Sequence, residues 1–178
     1  MRRNALAGAP AATAAAAGSG AAGAAASEYS CFYYDLVPTS GKSAYVVRFE
    51  DIIGNGRILV GVAPAAAARC SDIYKHPSSC LVYASKNGHE PAGWWTGNKQ
   101  TAPLAPTTRK GGGWIRGERC VIVISCKPVD NNYSFTMEFG VRGSQKWEKV
   151  REWTLNEPLY FVIGIADPGT SVTCWRAK

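Results

Sequence analysis

The stretch "EPLYFVIGIADPGTSVTCW", residues 157–175, decides the fold. An apolar run over 159–166 carries Gly164 inside it and stops at Asp167-Pro168-Gly169, and a second run over 171–175 starts almost at once. A short, continuous apolar run bounded by turn residues reads as a buried strand, and Asp-Pro-Gly reads as a tight reversal. A glycine inside such a strand implies a close approach, here expected from the opposite sheet or a bulky aromatic. The ending is therefore predicted to be a core strand, a tight turn and an adjacent partner strand.

The same grammar extends upstream. "AYVVRFEDII" (44–53) reads as a strand, "GNG" (54–56) as a hairpin turn, and "RILVGVAPA" (57–65) as the return strand. "CLVYASKNG" (80–88) is a strand running into Asn-Gly. "ERCVIVISCK" (118–127) is nearly all apolar and β-branched, as a strand buried on both faces would be. After the turn "VDNN" (129–132), "YSFTMEFGV" (133–141) puts Tyr133, Phe135, Met137 and Phe139 on one face and Ser134, Thr136 and Glu138 on the other. "KWEKVREWTL" (146–155) is polar and fits a short strand or a loop. No window shows a period of 3.6 residues, so helix is expected to be scarce. Regularly recurring strands with Gly, Asn and Pro turns indicate an all-β, two-layer antiparallel sandwich, its interlayer filled by six Trp and five Phe.

A chain of 178 residues suits one ordinary domain and needs no staple to fold. Residues 1–27 stand apart from it, with 14 Ala, 4 Gly and no charge besides Arg2 and Arg3. This head reads first as low-complexity disorder, second as an organellar transit peptide and third as a secretory signal. The domain is placed at 28–178. There 18 Lys and Arg against 13 Asp and Glu leave a mildly basic balance of 18 − 13 = +5. These charges are scattered rather than striped, which argues against nucleic acid as a partner. No run is long and apolar enough for a membrane helix.

Six cysteines are present, none in Cys-x-x-Cys spacing. Cys120 and Cys126, on one extended strand, would lie about 20 Å apart, beyond disulfide reach. Reduced, partly buried thiols in an intracellular protein are expected, cytoplasmic in the first instance or mitochondrial if 1–27 is a transit peptide.

The order "RILVGVAP", "CLVYASKNGHEPAGWW", "GERCVIVISC", "NNYSFTMEFGVRG", "EPLYFVIGIADPGTSVT" resembles a SPRY (B30.2-like) domain over about residues 44–175. Gly117-Glu118 stands for the family's Gly-Asp, "YSFTMEF" for its Leu-Ser-Phe-Thr strand, and Leu159-Tyr160 with 169–172 for its ending. Phe161 departs from the usual proline. The resemblance implies a bent, concanavalin-like jelly-roll sandwich. It also implies binding of a partner protein or peptide through loops at one end, without catalysis.

Other motifs point less far. "SGKS" (40–43) lacks the earlier glycine of a phosphate loop, since that position is Leu36, and it precedes a strand rather than a helix. His76 and His89 show no metal spacing and no catalytic partner motif, so neither a metal nor another cofactor is expected. Glu50 and Asp51 read as solvated charges at a strand end. "GWWTG" (93–97) places Trp94 and Trp95 on opposite faces, one of them a potential platform. "RKGGGW" (109–114) reads either as a recognition loop anchored by Trp114 or as a plain connection with Trp114 in the core.

The expected function is a non-enzymatic interaction module with Tyr74, Trp94, Arg109, Lys110 and Trp114 as partner-binding residues. Two other classes stay open. One is a carbohydrate-binding sandwich using Trp94 or Trp95, and the other is a structural subunit of a larger, organellar assembly.

Overall fold

A computed structural model describes residues 12–15, 29–69, 73–84, 93–96, 99–103, 114–141 and 147–177. Among them are twelve strands: β1 Ala12–Ala15, β2 Ser30–Leu36, β3 Gly41–Asp51, β4 Ile58–Pro64, β5 Cys80–Ala84, β6 Gly93–Thr96, β7 Lys99–Pro103, β8 Arg119–Val129, β9 Asn132–Val141, β10 Glu148–Leu155, β11 Leu159–Ile165 and β12 Ser171–Ala177. The helical content among the described residues is two short 3-10 turns, Ala65–Arg69 and Ile73–Lys75. All pairings are antiparallel, in two six-stranded sheets of order β1-β12-β3-β8-β9-β10 and β2-β11-β4-β5-β6-β7. The all-β sandwich read from the sequence is the structure.

Alternation builds the space between the layers. Tyr45, Val47 and Phe49 of β3 point inward with Cys120, Ile122 and Ile124 of β8 and Phe135, Met137 and Phe139 of β9. From the second sheet Ile58, Val60, Val62, Phe161 and Ile163 meet them. Tyr45 and Phe161 stack across the gap at 4.3 Å between ring centroids, 6° from parallel. Burying each such ring contributes a few kcal/mol.

Several sequence expectations need correction. "GNG" is no hairpin, because β3 and β4 belong to different sheets. The same holds for Asp-Pro-Gly: β11 and β12 are not partners, and β12 pairs with β3 instead. Both turns are corners that carry the chain from one layer to the other. β8 is buried mainly on one face, its outward Val121 and Ser125 being half-buried. The ambiguous segment at 146–155 forms β10. Part of the Ala-rich head contributes a strand, β1, which pairs Ala12 to Ala15 with Cys174 to Ser171.

The two strand glycines also behave differently from expectation. Gly61 and Gly164 contact outer-face neighbours within their own sheet, not the opposite one. A Cβ on Gly61 would lie 2.1 Å from the Cys80 carbonyl oxygen, whereas one on Gly164 would meet Leu59 and Cys31 at 3.4 to 3.5 Å. The outer face around them forms a second cluster of Tyr29, Leu59, Ala63, Leu81, Tyr83 and Val162, packed with Ala67 and Ile73 from the two 3-10 turns.

At the edge, β10 turns a charge inward. Arg151 shares a face with Met137 and donates through Nη1 to the carbonyl oxygens of Pro77 (3.3 Å) and Ser79 (3.2 Å). An inward cation of this kind discourages edge-to-edge pairing. Desolvation pulls the Arg151 pKa down. The five described cysteines are free thiols, four of them buried.

Candidate functional site

The register fixes which connections share an end of the sandwich. Ile58 at the start of β4 pairs with Ala84 at the end of β5, and Asp51 at the end of β3 with Ser171 at the start of β12. Arg48 pairs with Arg119, and Cys120 with Val141. The strand ends flanking 52–57, 85–92, 104–118, 142–147 and 166–170 therefore lie together.

The segment entering β8 at this end is held on both sides. Trp114 drops into the core, 3% exposed, and its Nε1–H donates to the Ile58 carbonyl oxygen at 3.2 Å. Its ring stacks on Phe49 at 4.5 Å and meets Phe139 edge-on at 6.2 Å. Two residues on, Arg116 donates through Nε to the Glu50 carbonyl oxygen at 3.0 Å and lies 3.2 Å from the Asp51 carboxylate. Gly117 N–H donates to the Phe49 carbonyl oxygen, and Phe49 N–H to that of Glu118. With Trp114 inward and Arg116 bound to β3, Ile115 is left facing outward at 60% exposure.

Ile53, two residues past Asp51 in the 52–57 connection at the same end, is 50% exposed. Its N–H donates to Thr170 Oγ1 at 3.0 Å, and a Cβ on Gly169 would touch its side chain at 3.4 Å. Gly169 itself has φ +83°, a left-handed turn conformation that glycine adopts without strain. Two exposed isoleucines thus lie at this end, each on a segment fixed by main-chain bonds. Leu36 and Val129 are exposed at the opposite end, on different sheets.

Trp114 must be withdrawn as a surface anchor, because a buried indole that stacks on Phe49 has no face left for a partner. Tyr74 lies on the second 3-10 turn, half-buried against the outer face of the β2–β7 sheet, its ring edge-on to Tyr29 at 6.0 Å. Trp94 is on β6, its backbone paired with Val82 and Thr101, and nothing of its side chain is described. Arg109 and Lys110 lie outside the described residues, as do His89 and Cys70. Ile53 and Ile115 were missed. The signal for Ile53 was available: adjacent Ile52 and Ile53 in "FEDII" cannot both face the core, and Ile52 is the one that does.

His76 Nδ1 accepts the Ser78 N–H at 3.2 Å, a local turn bond. Burial pushes the Cys80 and Cys174 thiols up to about 12, so both stay protonated near neutrality. Among the described residues no three His, Cys, Asp or Glu side chains group as a metal site. "SGKS" opens β3, with Lys42 3.6 Å from Glu138.

A human SPRY domain crystal structure superposes with a TM-score of 0.54 at 15% identity, covering 82% of each chain. The fold is that of a SPRY domain. The SPRY domain of human HERC1 matches similarly, with a TM-score of 0.53, 18% identity and 79% of each chain covered. No family model and no curated protein sequence matches the chain. At these identities the likeness concerns the SPRY-like architecture alone. No helix among the described residues is long and apolar enough to cross a membrane.

Proposed function

We propose that this SPRY-like sandwich is a non-catalytic interaction module that binds a partner protein or peptide through the loop-bearing end. The observation that carries the reading is that Ile53 and Ile115, each at least half exposed, both lie on connections at this end, where Arg116 also reaches Asp51 at 3.2 Å. Exposed aliphatic side chains on a pre-organised backing lose little entropy when covered, which favours recognition. Arg109 and Lys110, just upstream of Trp114 in the same connection, are proposed to add charge to this surface. Tyr74 and Trp94 are proposed as contacts from the adjoining sheet.

A photo-crosslinking residue placed at Ile115 in cells tests the reading, with Val129 at the far end as the control. A protein crosslinked from Ile115 and lost on Ile53→Asp supports it. Equal capture from Val129, or none from Ile115, overturns it.

A further inference from the structure

The solvent side of the sheet containing β3 carries a second surface, adjoining the loop end. Cross-strand register aligns Trp175 with Val46, Val46 with Val121, and Val121 with Gly140. The Trp147 ring lies over Gly140, where an added Cβ would come within 2.9 Å of Cε3. One apolar row thus crosses four strands and ends in a tryptophan at each side. At ordinary strand spacing it spans about 14 Å. Trp147 is 51% exposed, and Trp175, Val46 and Val121 are half-buried.

The row beside it is electrostatically unfavourable for the sheet. Arg48 of β3 stands directly opposite Arg119 of β8 on this outer face. Like charges directly opposite destabilise a strand pair. Arg48 is partly offset by Glu50 at 3.4 Å, and the Arg119 guanidinium lies 5.5 Å from the centre of the Trp175 ring. Arg119 therefore reaches across β3 toward the tryptophan that begins the apolar row. Two guanidinium groups beside a tryptophan-bounded hydrophobic strip complement one kind of surface, a carboxylate flanked by aromatic or aliphatic groups.

We propose that this sheet face docks a protein partner presenting an Asp or Glu side chain beside apolar ones. The carboxylate sits between Arg48 and Arg119, and the apolar residues cover Trp175, Val46, Val121 and Trp147.

Random peptides displayed on phage and selected on the full chain provide the probe, followed by titration of the recovered peptides. The expected peptides carry Asp or Glu next to Trp, Phe or Leu. The double change Arg48→Gln with Arg119→Gln is expected to weaken them about tenfold or more, while Ile53→Asp with Ile115→Asp leaves them bound. Removing the facing charges is also expected to leave the melting temperature unchanged or raised, which separates docking from a structural role. The proposal fails if no acidic peptide is recovered or if the arginine changes leave affinity intact. It also fails if those changes lower the melting temperature, or if poly(U) RNA displaces the peptides. Loss of binding only in the isoleucine variant assigns the peptides to the loop end and overturns this face.

Discussion

Asp167 holds Arg57 twice: its Oδ2 accepts the Arg57 N–H at 2.8 Å while its Oδ1 lies 3.6 Å from the Arg57 guanidinium. The two residues belong to different corners, Gly-Asn-Gly after β3 and Asp-Pro-Gly after β11. Thr170 adds a second bolt by accepting the Ile53 N–H and donating to the Ile53 carbonyl oxygen at 3.4 Å. Two sheet-crossing turns are thereby fastened side by side under the exposed isoleucine of the loop end.

Asp167→Ala removes the acceptor of a partly buried amide. It is expected to cost about 1–3 kcal/mol of stability, the range for an unsatisfied buried donor. Chemical denaturation reads this directly, and a loss below a few tenths would show that the two corners hold without the carboxylate.

Gly61→Ala and Gly164→Ala make a controlled pair. The first forces a methyl to 2.1 Å from the Cys80 carbonyl oxygen, so β4 and β5 must separate. A loss of about 1–3 kcal/mol or more is expected, as for overpacking. The second meets side chains at ordinary contact distance, so its melting temperature should fall far less. Equal effects would mean that the β4–β5 contact relaxes freely.

Trp114→Ala leaves a cavity between Phe49 and Phe139 and is expected to cost about 3–5 kcal/mol. Trp114→Phe keeps an aromatic ring there but loses the Nε1–H bond to Ile58, worth about 0.5–1.5 kcal/mol. A Trp114→Ala protein that melts like the wild type would place this indole outside the core.

Alkaline pH is expected to unfold the protein. Burial raises the Cys80 and Cys174 pKa values to about 12, and burial followed by the Asp35 charge raises Tyr45 to about 12. Below the ordinary thiol value of 9.0 all three are neutral in both states and no stability depends on them. Above it the unfolded chain loses protons that the native state retains, so stability falls as pH rises from about 9 toward 12. Equilibrium denaturation across that window should show a falling midpoint, with native-state alkylation of Cys80 remaining slow. A flat midpoint would mean that these groups meet water in the folded protein.

Strand existence was legible because it is local. The period-2 alternation of "YSFTMEFGV" and the β-branched run "CVIVISC" specify extended segments, and both became strands, although the second buries mainly one face rather than both. The apolar ending likewise produced β11 and β12, and the ordered motifs pointed to the SPRY-like architecture that the structure shows. Of the site, the sequence marked the connection leading to Trp114, leaving that residue between a loop anchor and a core position while including it among the partner contacts, and overlooked Ile115.

The partner of each strand, by contrast, belonged to the tertiary structure. A glycine turn reverses the chain equally well into a neighbouring strand or across to the other layer, and only packing between distant segments chooses. β3 pairs with β12 from the far end of the chain, so both short turns become corners rather than hairpins. The same distant packing draws Trp114 onto Phe49 and, by alternation, turns Ile115 out to water.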